Sequence, residues 1–263
     1  MKYCLVIPAY NEENRIAPRL DNVMDEFVKA YGTDCKVVVV SESKDKTDQI
    51  VREYEKKCEN IILYNPNSTE RLFKGGVVRE AFKYACKTYD PEFIGFVDAD
   101  MSVSGSEMVR MFTELQKQNC DGLIGSRYMK GSKLIGKRST SRNVASRFFN
   151  GIVRVLFGMD YLDTQCGAKV FKGESLKSVL HLLILKDWTF DVNLLYEMKL
   201  AKYDVREMPL EYVVVETDSK VRTFTQAPSF AIVSFGYRIY KSWLGKYIPR
   251  SLMRSIYLWS IGE

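Results

Sequence analysis

One histidine, His181, is present among 263 residues. A single imidazole excludes a His-rich metal centre. Its surroundings, HLLILK, read as a helix facing a core rather than as the base of a Ser-His-Asp triad. Cysteine is scarce and scattered. The six thiols at positions 4, 35, 58, 86, 120 and 166 make no CxxC pair and no zinc-ribbon spacing, so they read as reduced, mostly buried thiols of a cytosolic compartment. No window approaches the roughly 18 apolar residues of a membrane span, and MKYCLVIPAY lacks the shape of a signal peptide. Neither charge dominates: 39 basic against 33 acidic residues leave +6. That excess does not argue for nucleic acid, and it leaves anionic ligands and membrane surfaces open. Apolar content of 46% and charged content of 27% exclude a disordered or collagen-like chain.

What is there is an alternation of strand and helix patterns in the first half. Apolar, β-branched runs at Tyr3–Pro8, Lys36–Val40, Ile61–Tyr64, Phe93–Val97 and Gly122–Ser126 predict strands. Amphipathic stretches at Glu12–Tyr31, Asp45–Cys58, Gly75–Tyr89 and Ser104–Gln118 predict helices; in the first, Ile16, Leu20, Val23 or Met24, and Phe27 recur at helical spacing. Such alternation predicts an α/β fold with a mostly parallel sheet, whose ligands gather at the carboxyl ends of the strands. The second half predicts a helix at Asn143–Phe157, a strand at Ala168–Phe171, a helix at Thr189–Ala201 and two strands within Val205–Val215 broken near Pro209. No linker or repeat divides the chain. Residues 1–223 read as one domain and 224–263 as an extension with five basic groups, one acid and many aromatics. In that extension Ile248, Leu252, Ile256 and Trp259 share a helical face opposite Arg250 and Arg254.

Two motifs fall at the ligand edge of this sheet. Phe96-Val97-Asp98-Ala99-Asp100 ends a buried strand, and two carboxylates at i and i+2 offer hard oxygen ligands for Mg²⁺ or Mn²⁺ bridging to a diphosphate. The alternative is a turn whose aspartate caps the helix after Ser104. Ile7-Pro8-Ala9-Tyr10-Asn11-Glu12-Glu13 ends the first strand, where Asn11 could equally cap a helix with Glu12 and Glu13 in its first turn.

With these motifs on one edge, the chain resembles the family 2 glycosyltransferases of GT-A-type fold. Gly125-Ser126-Arg127-Tyr128, Arg142-Asn143, Asp163-Thr164-Gln165-Cys166-Gly167-Ala168-Lys169, Trp188-Thr189-Phe190-Asp191-Val192-Asn193-Leu194-Leu195 and Ser219-Lys220-Val221-Arg222 follow in order. The series is similar to the polyprenyl-phosphate hexose synthases, and DTQCGxK with WxFDVxLL resembles the dolichyl-phosphate β-glucosyltransferase branch. The resemblance implies a nucleotide site of Pro8, Ala9, Tyr10, Glu12, Glu42, Lys74, Gly75, Asp98 and Ala99, with the small residues of Lys74-Gly75-Gly76 letting backbone approach the nucleotide. It implies a metal, Mg²⁺ or Mn²⁺, on Asp98 and Asp100. Arg127, Arg142, Asp163, Gln165, Ser219, Lys220 and Arg222 would serve phosphate and acceptor, and Asp100, Arg127 and Asp191 the chemistry. Each basic residue has the alternative of a solvated surface charge. Asp191 has that of a helix N-terminal acid, and the DTQCG segment that of a structural turn in which Gly167 permits an unusual backbone angle.

One departure stands out. Family members carry Asp-Asp-Gly-Ser after the second strand; this chain reads Val40-Ser41-Glu42-Ser43, and Glu42 is the acid nearest to a substitute. The implied activity is inverting transfer of a hexose from a nucleotide-diphosphate sugar to a dolichyl or polyprenyl phosphate, UDP-glucose ahead of GDP-mannose as donor. The expected location is peripheral, on the cytoplasmic face of a membrane. A soluble or polysaccharide acceptor, or a non-catalytic nucleotide-sugar binder, are the alternatives.

Overall fold

The computed structural model describes residues 1–68, 71–137, 140–215, 223–243 and 247, with backbone alone at 140–143, 145 and 223–228. The β-branched runs become strands and the amphipathic stretches between them helices. The first half runs β1 (Tyr3–Ala9), α1 (Ile16–Val23), a π-helical turn (Met24–Val28), α2 (Lys29–Tyr31), β2 (Cys35–Ser41), α3 (Thr47–Lys57), β3 (Ile61–Tyr64), α4 (Phe73–Thr88), β4 (Phe93–Val97), α5 (Gly105–Gln118) and β5 (Gly122–Ser126). The second half adds β6 (Lys133–Ile135), α6 (Thr140–Phe157), β7 (Ala168–Lys172), α7 (Gly173–Val179), α8 (Phe190–Leu200), β8 (Val205–Pro209), β9 (Glu211–Val213) and α9 (Thr223–Tyr240).

Seven strands form one sheet in the order β3-β2-β1-β4-β7-β5-β8, and β6 pairs with β9 in a small second sheet. The pairs β1–β2, β1–β4, β2–β3 and β5–β8 are parallel, as strand–helix alternation requires. β7 alone runs against its neighbours, wedged between β4 and β5. This is the α/β architecture with a mostly parallel sheet that the sequence predicts. Ile16, Leu20, Phe27, Met111 and Phe112 cover one face of the sheet. Val78, Phe82, Val153, Leu194 and Phe230 cover the other. All six cysteines are free and five are buried.

Three local expectations are corrected. The first helix begins at Ile16, not Glu12, because Asn11 takes a left-handed φ of 54° and turns across the sheet edge. There its N–H donates to Ser43 Oγ (2.9 Å) and its Oδ1 accepts from Lys44 N (2.9 Å), so Asn11 is not a helix cap. His181 is exposed in a short 3₁₀ turn (Leu180–Leu182) rather than on a core-facing helix. The strand β6 and the helix α7 arise where no periodicity was read. The compositional extension also begins inside the fold. Phe230, Val233 and Tyr237 of α9 are buried, and the Phe149 and Phe230 rings meet at 4.8 Å. No helix among the described residues is long and apolar enough to cross a membrane. Residues 248–263, including Arg250 and Arg254, lie outside the described residues.

Candidate active site

β1, β2 and β4 end side by side, with Pro8 opposite Val40 and Ala9 opposite Ser41 in the register, so the IPAYNEE and DAD segments leave the sheet at one edge. Ser104 itself caps α5, its Oγ accepting from Glu107 N at 3.1 Å. The aspartates are therefore not spent on capping. Asp98 is paired with Lys74 at 2.6 Å, and Asp100 Oδ1 accepts from Ser102 N at 3.0 Å. Ala99 between them is buried. Burial lowers the pKa of Lys74, but the Asp98 and Asp191 carboxylates outweigh it and hold the ammonium above the ordinary lysine value. The Lys74 ammonium also lies 5.4 Å from the Trp188 ring centroid.

A residue that sequence reasoning missed supports the aspartates from below. Arg19 of α1 is fully buried and donates from Nη1 to Val103 O and from Nη2 to Asp98 O, both at 2.8 Å. One guanidinium thus clamps both ends of the loop that carries Asp100, where Met101 takes φ +63°. Burial pushes its pKa down to about 10, against the pull of Asp100 and Asp98. The signal was available: Arg19 falls three residues after Ile16 and one before Leu20, on the apolar face of its own helix.

At the same edge, Tyr10 is exposed and the Arg71 guanidinium stands 5.6 Å from its ring centroid and 4.7 Å from that of Phe73. Phe73 has φ +47°, a costly conformation for a bulky residue. Arg71 and Phe73 were not read from the sequence. Glu12 gives its carboxylate to Arg15 (2.5 and 2.7 Å) and its N–H to Thr47 Oγ1. Glu42 Oε2 accepts from Leu72 N at 3.2 Å and so ties the end of β2 to the loop before α4. Where the Asp-Asp pair is missing, Asp48 reaches back from α3 to Ser41 Oγ (2.5 Å) and Asn65 Nδ2 (2.8 Å). Gly75 is buried, and a Cβ there would lie 2.3 Å from Phe190 Cβ. The close approach that demands a glycine here is to Phe190 at the start of α8.

The DTQCG segment is a tight turn under the same edge. Asp163 is fully buried, and its two oxygens accept from Arg127 Nε (2.6 Å), Nη2 (2.7 Å) and backbone N (3.0 Å). Arg127 is only 9% exposed. Burial lowers its pKa, the Asp163 carboxylate more than restores it, and the guanidinium stays charged. Asp163 therefore grips Arg127 through both carboxylate oxygens. Among the described residues Gln165 Nε2 is buried without a hydrogen-bond partner. Gly167 does not have positive φ, which corrects the backbone-angle alternative. A Cβ there would stand 2.0 Å from Asp98 Oδ2, so its lack of side chain lets this turn press on the aspartate. Asp191 lies in the first turn of α8, 6% exposed, with Lys169 of β7 donating to its Oδ1. Arg142 is in α6 with its side chain outside the described residues, and Ser219, Lys220 and Arg222 lie wholly outside them.

Among the described residues no group of three or more His, Cys, Asp or Glu comes together as ligands. The residues at this edge that could hold a divalent ion are Asp98, which is paired with Lys74, and Asp100. They fit Mg²⁺ or Mn²⁺, hard cations that take one or two carboxylates and fill their other positions with diphosphate oxygens and water.

Comparison with known proteins gives the family and the fold. The family model described as glycosyl transferase family 2 matches residues 4–180. Glycosyltransferase AglD of Haloferax volcanii is 26% identical over 241 residues, covering 91% of this chain and 36% of AglD. A dolichyl-phosphate β-glucosyltransferase of Dictyostelium discoideum is 27% identical over 243 residues, covering 86% of this chain and 71% of that protein. The chain thus spans about a third of the first relative and about 70% of the second. Among solved structures, glucosyl-3-phosphoglycerate synthase from Mycobacterium tuberculosis, in complex with Mn²⁺, UDP and glucosyl-3-phosphoglycerate, superposes with a TM-score of 0.64 at 15% identity, over 90% of this chain and 79% of that one. With strand-end aspartates, a crossing first loop and a matched model over two thirds of its length, the chain belongs to glycosyl transferase family 2.

Proposed function

We propose that this glycosyltransferase moves a hexose, glucose first and mannose second, from a nucleoside-diphosphate sugar to a dolichyl or polyprenyl phosphate with inversion at the anomeric carbon. The observation that carries the reading is the shared edge. Asp98 and Asp100 stand at the end of β4 with Lys74 on Asp98, while the Tyr10–Arg71–Phe73 stack lies on the neighbouring side. Planar groups stacked at one end and charges gathered at the other suit a nucleoside diphosphate. Asp98 and Asp100 would hold Mg²⁺ or Mn²⁺, which when bound neutralises the diphosphate as it leaves. The relatives named for dolichyl phosphate, and the Mn²⁺ and UDP held by the structural neighbour, support this assignment.

The acceptor side follows from charge. A phosphate monoester is already anionic at neutral pH, so its oxygen attacks the anomeric carbon without needing a strong base. Positioning and cation stabilisation are then the dominant demands. Arg127, oriented by Asp163, meets the second in this reading, with Arg142, Ser219, Lys220 and Arg222 as further phosphate contacts. Asp163 and Gln165 shape the acceptor pocket through the turn that holds Arg127. A donor-by-acceptor matrix tests the reading: UDP-glucose and GDP-mannose crossed with polyprenyl phosphate, a soluble phosphate and water. The expected product is a lipid-linked β-hexose phosphate, formed from UDP-glucose, lost with chelator and restored by Mg²⁺ or Mn²⁺. Turnover confined to a soluble acceptor would overturn the lipid assignment; nucleotide-sugar binding with neither transfer nor hydrolysis would overturn the enzyme.

A lipid acceptor requires docking on a bilayer. On α6, Val144, Phe148 and Val155 lie at helical spacing on one exposed face, with Phe148 62% and Val155 85% exposed. Phe235 of α9, Trp243 and Tyr247 add further exposed apolar surface. In this reading these residues would supply an apolar wedge for a membrane surface, and the basic composition of 224–263 would favour an anionic one. The protein is expected to co-float with anionic liposomes at low salt and to be released at high salt. Phe148→Ser with Val155→Ser should weaken flotation by about tenfold or more, since even one fully buried apolar side chain contributes about 1.5–3 kcal/mol. Unchanged flotation would assign these faces to packing.

A further inference from the structure

We infer that Lys169 is a positioning residue for Asp191, holding that carboxylate at the acceptor side from beneath the sheet edge; the inference rests on the transfer reaction proposed above. Lys169 sits in β7, opposite Phe96 in one neighbouring strand and Ile124 in the other. It is fully buried, in a strand whose Ala168, Val170 and Phe171 are buried as well. An apolar side chain would satisfy that setting, and a lysine withdrawn from water persists only where its charge is paired. Its Nζ donates to Asp191 Oδ1 and to Cys166 O (2.6 Å), and lies 5.2 Å from the Phe96 ring centroid.

The second of these bonds gives the pair its reach. Cys166 precedes Gly167, whose carbonyl accepts from Asp98 N at 3.0 Å and whose bare Cα is pressed against the Asp98 carboxylate. One ammonium thus grips both the turn under the donor-side aspartate and the acid in the first turn of α8. Asp191 also contributes to the field on Lys74, which is bound to Asp98. Two lysines and two aspartates therefore alternate under the reacting edge. Lys169 is the fully buried member of the four, and it fixes where Asp191 stands relative to the others.

The test is a cycle of Lys169→Met, Asp191→Asn and the double variant, read by thermal unfolding, UDP affinity by calorimetry, and kcat on polyprenyl phosphate with donor hydrolysis to water in parallel. Lys169→Met is expected to lower kcat about tenfold or more while leaving UDP affinity within about twofold, and the double variant to match Asp191→Asn in kcat within about twofold. The double variant should also melt above Lys169→Met, since it no longer buries an unpaired carboxylate. Wild-type kcat in folded Lys169→Met, or a double variant at the product of the two single losses, would overturn the inference. If Lys169→Met does not fold, the double variant against Asp191→Asn decides alone: equal kcat supports the role, and a further drop of about tenfold overturns it. Wild-type protein that hydrolyses donor but ignores polyprenyl phosphate would sink the acceptor assignment, while the same cycle read on hydrolysis still decides Lys169.

Discussion

Asp100→Ala is expected to abolish metal-dependent transfer while leaving the fold intact. The carboxylate is partly exposed at the end of a loop, and its hydrogen bond is to the nearby Ser102 N–H. Losing such a bond costs about 0.5–1.5 kcal/mol, which the two-sided core can absorb. The chemistry has no such reserve. A divalent ion stabilising a leaving diphosphate supplies several kcal/mol, and about 4 kcal/mol corresponds to roughly a thousandfold in rate. Turnover of UDP-glucose with polyprenyl phosphate across a Mn²⁺ titration, beside a thermal melt, is the measurement. Near-wild-type turnover in a variant that melts normally would remove the metal from Asp100. The Arg19 clamp makes a related demand. It holds the loop by its backbone at Asp98 O and Val103 O, so the alanine variant should keep the loop path and lose only the ligand.

The sheet edge and its two acidic motifs were legible in the sequence because they depend on local pattern. A β-branched run followed by polar residues is a strand leaving a core, and FVDAD and IPAYNEE are both such runs. The edge on which they meet follows from parallel crossover topology. What was not legible depends on contacts between distant segments. β7 enters the sheet against the direction of its neighbours, and only that insertion puts Lys169 opposite Phe96 and under Asp191. From the sequence, Asp191 was an acid near a helix start and Lys169 the last letter of DTQCGAK. Gly167 was read as a backbone-angle residue, although its need for a bare Cα comes from Asp98, 69 positions earlier. Arg19 and Lys169 share one signal that local pattern does carry: a cation inside an apolar face or run. Such a residue either leaves the fold or is held by polar partners within it; here two backbone carbonyls hold Arg19, and Asp191 with Cys166 O holds Lys169.

Asp163→Asn is expected to be the most destabilising single change in the site. The fully buried carboxylate accepts three hydrogen bonds from Arg127, and an amide turns one of its oxygens into a donor facing a donor. Breaking one partner of a buried ion pair costs about 3–5 kcal/mol. At about 2–4 °C per kcal/mol for a domain of this size, the melting midpoint should fall by roughly 6–20 °C. Stability alone would not separate a holding role from a purely structural turn. The separating variant is Arg127→Met with Asp163→Leu, which replaces the pair by apolar groups of similar volume and should recover much of the lost stability. If Asp163 serves to aim Arg127 at phosphate, this double variant is folded but loses transfer by about tenfold to a hundredfold, the worth of one charge-assisted contact at about 1.5–3 kcal/mol. Because Arg127 is charged at every working pH, its removal should lower the rate uniformly across the pH profile rather than shift it. Wild-type turnover in the folded double variant would return both residues to architecture and leave the phosphate to Arg142, Lys220 and Arg222.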